Sequence, residues 1–233
     1  MKVDRLLILC FKRGTDTEVE KGGEALYQRN MSRGLRKIEL VYIHPDTGVA
    51  TRQSKHKAEL PTLPGEGVGV YVIGHSVSPL PGLMRKFSGI SAQALAGIVA
   101  NCLRPMAVKK IRKLCFAACF LAEDAGEDGF LDKFAQEFAE QGFVPKIAGW
   151  ASWVSTLQPD MPLPSSRNLY DRNSGSPVKV EREEFARYQG RKAVNTSKRV
   201  VVSDAKAREE AKRFIWVKEG QVTVLSYDDW HDQ

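Results

Sequence analysis

Two residues able to carry out nucleophilic catalysis lie at the ends of two apolar stretches of the sequence. His75 follows the apolar run Val68–Ile73, and Cys119 ends the stretch 109–119. An imidazole beside a thiol can take its proton, and the resulting thiolate attacks a carbonyl carbon to give an acyl-enzyme. We therefore predict a Cys-His dyad in which Cys119 is the nucleophile and His75 activates the thiol or protonates the leaving amine.

The two residues can meet only if the strands that carry them are neighbours in one sheet. The strand at 68–73 shows no alternation of apolar and polar residues, which is typical of a strand covered on both faces in a parallel sheet. A helix capped by Ser91 follows it, and the strand, helix, strand, helix, strand pattern continues to residue 154. Sites in open α/β sheets form at the carboxyl ends of the strands, where His75 and Cys119 would emerge together.

Segments on both sides extend this pattern. Residues 3–11 and 37–43 are apolar and β-rich, and a short helix is predicted between them at 24–31. Near the C-terminus, residues 214–217 and 221–226 form a hairpin-like pair. The pattern predicts an α/β protein with a mostly parallel central sheet, helices on both faces, and a C-terminal extension made of a basic helix and a β-hairpin.

Length and composition are those of an ordinary globular chain. The 233 residues include 42% hydrophobic and 27% charged residues, which fits one domain or one domain with a small appendage. We expect an α/β core over residues 1–158 and a basic extension, residues 159–233, packed on the same domain.

The sequence also argues against several classes of protein. No apolar run approaches the ~18–20 residues of a membrane-spanning helix. The apolar run at 6–11 is too short for a signal-peptide core, so we expect a cytoplasmic protein, although export without a cleavable leader stays open. The spacing of the four cysteines fits no zinc motif, so we expect no metal and no required cofactor. These cysteines are Cys10, Cys102, Cys115 and Cys119.

The segment around the two reactive residues resembles the caspase-like clan of cysteine peptidases, which includes caspases, gingipain and clostripain. The matching residues are Gly74-His75-Ser76 and Ala117-Ala118-Cys119, with the histidine 44 residues before the cysteine. Together with the helix that begins Ser91-Ala92, they are most similar to the self-processing cysteine protease domain of large bacterial toxins. The resemblance covers roughly residues 65–155 and implies a three-layer caspase-like fold, a thiol endopeptidase and a peptide or protein substrate. The sequence departs from the pattern at Ser76, where the clan has glycine.

Backbone and small residues near the dyad would complete such a site. Amides near Gly74, Ser76 and Cys119 would stabilise the oxyanion. Residues after the next strand, including Gly149 and Ser152, would line the specificity pocket.

Positive charge is concentrated in the C-terminal part of the chain. The window 179–218 contains 12 Lys and Arg and 6 Asp and Glu, and so carries +6 of the net charge of +7. The toxin domains that the sequence resembles are switched on by inositol hexakisphosphate, which implies a similar polyanionic activator here. No zinc finger or RNA-binding aromatic motif accompanies the window, so we expect no sequence-specific nucleic-acid binding. The candidate polyanion-binding residues are Arg182, Arg187, Arg191, Lys192, Lys198 and Arg199.

Two other functions are compatible with the same residues. Gly74-His75-Ser76-Val77-Ser78 resembles the elbow of serine hydrolases and would make Ser76 the nucleophile, although Pro79 blocks the helix that should follow. In the second alternative the chain is a degenerate protease, and its α/β core serves as a non-catalytic module that binds phosphate groups.

Overall fold

The computed structural model describes most of the N-terminal two thirds of the chain and parts of the remainder. The described residues are 3, 5–32, 34–35, 37–52, 67–76, 84–106, 108, 110–119, 121–122, 129–150, 169–171, 194–196, 199–201 and 212–231.

An eight-stranded sheet forms the centre of the molecule. Its strands in chain order are β1 (Arg5–Phe11), β2 (Ile38–Ile43), β3 (Ala50–Arg52), β4 (Val68–Ile73), β5 (Ile111–Ala117), β6 (Lys146–Trp150), β10 (Lys212–Lys218) and β11 (Gln221–Leu225). In space the order is β11-β10-β6-β5-β4-β1-β2-β3. The five strands from β6 to β2 are parallel, and antiparallel strands flank them on both sides. The predicted mostly parallel α/β sheet is confirmed.

Alternating side chains of the central strands enter two separate cores. In β1, Leu7 and Leu9 face one core, whereas Leu6 and Ile8 face the other. Every residue of β1 is buried, which explains its continuous apolar run, because a strand covered on both faces has no solvent side to fill with polar residues.

Helices lie on both faces of the sheet, as predicted. The helix α1 (Thr17–Ser32) contributes Val19 and Leu26 to one core. The helices α2 (Ala92–Leu103) and α3 (Phe130–Glu140) pack against each other in the other core. In this parallel arrangement each helix starts near the carboxyl edge of the sheet. That edge therefore collects the strand ends together with the helix N-termini.

Several predicted boundaries differ from the structure. The helix expected at 24–31 is α1, which is twice as long as predicted. Its first turns are mostly polar, but they also contain Val19, which packs in the core beneath the helix. The strand expected at 109–119 is β5, which ends at Ala117, so Cys119 lies in the turn that follows it.

The C-terminal part of the chain adds two strands to the central sheet and also forms a second, smaller sheet. The predicted hairpin is confirmed as β10 and β11, and β10 pairs with β6. A short helix, α4 (Tyr227–His231), follows it. A second antiparallel sheet consists of β7 (Leu169–Asp171), β9 (Arg199–Val201) and β8 (Val194–Thr196), in that spatial order. The boundary predicted between 158 and 159 lies outside the described residues.

Candidate active site at the carboxyl edge of the sheet

The register of two neighbouring strands brings the predicted reactive residues to one edge of the sheet. Ile73 of β4 pairs with Ala117 of β5 in parallel register. His75 and Cys119 each lie two residues beyond this pair, and so retain its offset of 44 residues. Neighbouring strands are about 5 Å apart, which makes the two chain segments adjacent where they leave the sheet.

His75 has a carboxylate partner in the loop that follows β1, which is the other strand next to β4. Its Nε2 atom lies 2.9 Å from Oδ2 of Asp16, in the loop between β1 and α1. The imidazole is 54% exposed, whereas the side chain of Asp16 is only 19% exposed. The imidazole therefore contacts a largely buried carboxylate while about half of its own surface faces solvent.

Asp16 is held in place by its role at the start of α1. Its Oδ1 atom accepts a hydrogen bond from the backbone N–H of Val19 at 3.2 Å, as expected of a residue that caps a helix N-terminus. The backbone N–H of Asp16 donates to the carbonyl of Arg13 at 2.9 Å, which closes the preceding turn. One carboxylate oxygen thus fixes the helix start and the other contacts His75.

A tight turn fixes the backbone of His75. The N–H of His75 donates to Oγ of Ser88 at 3.1 Å, and the N–H of Ser88 donates to the carbonyl of His75 at 2.6 Å. Ser88 and Gly89 have φ of 50° and 86°, the left-handed conformations that a two-residue primed turn requires. The reciprocal hydrogen bonds leave the histidine backbone little freedom.

Phe87 anchors this turn beneath the site. Its buried ring packs edge-on against Phe11 at the end of β1 and Phe116 near the end of β5, with centroid separations of 5.3 and 5.7 Å. Gly74 leaves room for the turn, since a Cβ there would lie 2.5 Å from Cζ of Phe87 and 2.6 Å from Oγ of Ser88. Phe87 thus contacts the end of β1, which precedes Asp16, and the end of β5, which precedes Cys119.

Cys119 has the partial exposure that a nucleophile needs. It is half-buried in the turn after β5 and is not part of a disulfide. Its surroundings are anchored, because Ala118 and Leu121 are buried and Ala122 donates its N–H to the carbonyl of Trp150 at 2.9 Å. Cys10 and Cys102 are buried, as expected of core cysteines. Cys115 is half-buried in β5.

The remaining predicted site residues have different surroundings. The predicted oxyanion segment at Gly74 and Ser76 packs against the Phe87 turn, and Ser76 bridges to Phe87. Gly149 is buried in β6, where an added Cβ would approach Leu131 and Ala122 at 3.1–3.2 Å, so it has a packing role there. Ser152 lies outside the described residues.

Of the basic residues predicted to bind a polyanion, only one lies in a described strand. Arg199 belongs to β9, whose backbone alone is described. The others lie outside the described residues, namely Arg182, Arg187, Arg191, Lys192 and Lys198.

Sequence reasoning missed Asp16 and Ser88. Asp16 is 59 residues from His75, and no short motif connects them. The available signal was its position, since an aspartate that follows the first strand and precedes a helix is a capping candidate at the carboxyl edge. For Ser88, the signal was the Ser88-Gly89 pair, which is typical of turns.

Two structural features are absent from the described part of the chain. Within those ranges, no group of three or more His, Cys, Asp and Glu side chains is arranged to hold a metal ion. None of the described helices combines the length and apolar character needed to cross a membrane.

Comparison with known proteins gives distant structural matches only. No protein-family model matches the sequence, and no curated protein matches it. Among solved structures, the chain is similar to a secreted C11 cysteine protease from Bacteroides thetaiotaomicron, "iotapain". The two share 9% sequence identity and a TM-score of 0.36, and the match covers 65% of this chain and 54% of that one. A secreted C11 cysteine protease from the same organism, in complex with an irreversible peptide inhibitor, matches at 10% identity and a TM-score of 0.33, over 65% and 49%. The chain thus spans about half the length of these proteins.

Proposed function

We propose that the protein is a cysteine peptidase of the caspase-like type, with Cys119 as nucleophile and His75 as its acid–base partner. One observation carries the proposal. The parallel pairing of β4 with β5 ends at Ile73 and Ala117, and His75 and Cys119 each lie two residues beyond that pair, so an imidazole and a thiol follow adjacent strands at the edge where α/β proteins build their sites.

The proposed reaction is acyl transfer through the thiol. His75 accepts the proton of Cys119, and the thiolate attacks the peptide carbonyl carbon to form a carbon–sulfur bond. The tetrahedral intermediate collapses with cleavage of the carbon–nitrogen bond, and His75 returns the proton to the leaving amine. Water then attacks the thioester, which releases the carboxylic acid and restores the thiol.

Backbone amides on either side of His75 and at Cys119 are the groups we propose for the oxyanion. The N–H of His75 donates to Ser88, so it already has an acceptor in the resting protein. We therefore assign oxyanion stabilisation to the backbone at Gly74, Ser76 and Cys119, as the sequence predicts. The substrate class is a peptide or protein, and activation by inositol hexakisphosphate through the basic window 179–218 stays a prediction from the sequence resemblance.

A thiol-directed peptidyl acyloxymethyl ketone tests this function directly. We expect the probe to label the wild-type protein at Cys119 and to fail with Cys119→Ala. Cys115→Ala is the matched control, because Cys115 is also half-buried and lies on the same chain segment, and it should leave labelling intact. Labelling that persists in Cys119→Ala, or no labelling of a folded wild-type protein with or without inositol hexakisphosphate, would contradict the proposal.

The same experiment separates the two alternatives. Ser76 is 5% exposed, and among the described groups its hydroxyl has no hydrogen-bond partner, so no base within the described ranges is positioned to activate it. Fluorophosphonate labelling that is lost in Ser76→Ala would nevertheless establish a serine hydrolase. A large thermal shift with inositol hexakisphosphate, together with no labelling by either probe, would favour the phosphate-binding module.

A further inference from the structure

We propose that β11 is an interaction surface for a second copy of this chain, which pairs with it strand to strand around a two-fold axis at Thr223. β11 is the last strand on one side of the central sheet, and β10 is the only described strand that pairs with it. An edge strand presents a row of backbone N–H and C=O groups that can pair with another chain. The inference goes beyond the proposed peptidase activity and does not depend on it.

The geometry of the hairpin identifies the backbone groups that point outward. Lys218 pairs with Gln221 across the two-residue turn 219–220, whose φ angles of 50° and 78° are those of a type I′ turn. The residues that flank such a turn form a hydrogen-bonded pair, and the two kinds of antiparallel pair then alternate along the strands. Val222 and Val224 therefore direct their N–H and C=O groups away from β10, towards the open edge.

β11 lacks the features that usually protect an edge strand. Its sequence, Gln-Val-Thr-Val-Leu, contains no charged residue and no proline, and its pairing with β10 is regular. Proteins commonly protect such edges with lysine, proline or a bulge. The side chain of Val224 is 63% exposed. By contrast, β3 at the opposite side of the sheet has only three residues and ends in Arg52. The edge suited to pairing is therefore that of β11.

A second β11 fits this edge because the strand is complementary to itself. Antiparallel pairing centred on Thr223 places Val222 of each copy opposite Val224 of the other. The outward N–H and C=O groups of these valines then exchange hydrogen bonds. Val222 packs against the core shared with α2 and α3, and Val224 lies on the same face of the strand. Pairing therefore covers each exposed Val224 with the other copy's Val222, and such β-branched cross-strand pairs stabilise a sheet.

The charges at the two ends of the hairpin favour the antiparallel arrangement. Lys218 is exposed at the turn end, and the acidic residues 228–229 are exposed at the start of α4, beyond the other end. Lys218 lies on the sheet face on which α4 packs, since Trp230 of α4 contacts Phe214 of β10. Antiparallel pairing brings the lysine end of each copy towards the acidic end of the other, whereas a parallel partner would bring like charges together. Glu219 is part of the turn, beyond the paired residues.

The dimer leaves both candidate active sites open. β11 lies three strands from β5, which is about 14 Å at the usual spacing between strands. In the antiparallel pair, the carboxyl edges of the two sheets point in opposite directions. Dimer formation and labelling of Cys119 therefore test separate proposals, and either one can fail without the other.

Sedimentation velocity of the full chain over a hundredfold range of protein concentrations tests the inference. We expect a monomer–dimer equilibrium in the wild type. Thr223→Lys places two like charges directly opposite each other at the two-fold axis, so we expect it to raise the dimer Kd at least about tenfold. The monomer should still fold, because Thr223 is exposed. Thr51→Lys is the matched control, since it makes the same change at an exposed position of β3, and it should leave Kd unchanged.

A second variant tests the backbone pairing itself. Val224→Pro removes one outward N–H and none of the hydrogen bonds to β10, a change that edge strands tolerate. We expect it also to weaken the dimer, and we expect amide exchange at Val224 of the wild type to slow as protein concentration rises. A wild type that is monomeric at every concentration would overturn the inference. So would a dimer that persists in both β11 variants, or one that Thr51→Lys weakens as much as Thr223→Lys does.

Discussion

At the level of single residues, Gly74 shows how closely the site is packed. It immediately precedes His75, and an added methyl group would lie 2.5–2.8 Å from two ring atoms of Phe87 and from the Ser88 hydroxyl. We expect Gly74→Ala to lower the free energy of unfolding by about 1–3 kcal/mol, because the anchored turn must shift to admit the methyl group. Denaturant unfolding of the folded variant measures the loss.

The matched control for this prediction is Gly97, in the middle of α2. An added Cβ there meets no atom within 4 Å, so alanine adds no clash. Because glycine is unfavourable inside a helix, we expect Gly97→Ala to stabilise the protein by about 0.5–1 kcal/mol. Equal effects of the two substitutions would show that the contact with Phe87 is not what requires glycine at position 74.

Individual residues also show what the sequence could predict about the candidate site. His75 and Cys119 were recognisable because each has a reactive side chain directly after an apolar run. Asp16 was not, because its contact with His75 depends on β1 and β4 being neighbours, and strand order is not visible in local patterns. Gly74 was assigned to the oxyanion, whereas its close approach to Phe87 depends on a turn more than ten residues away.

At the level of elements, a buried ion pair connects the C-terminal hairpin to α3. Arg213 of β10 donates to Asp132, whose side chain in the first turn of α3 is 3% exposed. Removing Asp132 leaves the largely buried guanidinium of Arg213 without this carboxylate. We expect Asp132→Ala to destabilise the protein by about 3–5 kcal/mol in denaturant unfolding, and a double-mutant cycle with Arg213→Met should recover part of the loss.

The exposed pair between Arg13 and Asp46 is the comparison for this prediction. Both side chains are more than half exposed, and exposed pairs contribute little because water and salt screen them. We expect Asp46→Ala to change the free energy of unfolding by less than about 1 kcal/mol. A loss at Asp46 as large as that at Asp132 would mean that burial does not determine the strength of the two pairs.

The elements differ in how far local patterns determine them. The alternation from β4 to β6 was predictable, because continuous apolar runs and helical spacing both reflect burial. α1 was underestimated, since it contains two consecutive glycines that local propensity disfavours. One of them, Gly23, faces Sγ of Cys10, where a Cβ would lie only 2.5 Å away, so close packing on β1 favours glycine despite its low propensity.

At the level of the whole molecule, the two cores have different chemical character. The core shared with α2 and α3 contains a series of phenylalanine rings from Phe11 through Phe87 and Phe116 to Phe134. The core beneath α1 contains none of these rings and includes the thiol of Cys10. Aromatic packing therefore supports the site turn on one face, while Cys10 is buried on the other face.

The Cys10 thiol makes the stability of the fold sensitive to alkaline pH. Burial is the main cause that raises its pKa far above the ordinary thiol value; Glu24 and Glu20 raise it further, against an opposing effect of Lys12. Above about pH 8.5 the unfolded chain loses this proton while the folded chain retains it, so stability decreases as pH rises, by about 1.4 kcal/mol per pH unit for this group. Cys10→Ala lacks this contribution, and its cavity cost is the same at every pH. We therefore expect the stability gap between wild type and Cys10→Ala to be constant from pH 6 to 7.5 and to narrow by about 1 kcal/mol between pH 8.5 and 9.5 in urea unfolding. A gap that stays constant through pH 9.5 would show that Cys10 ionises equally in both states.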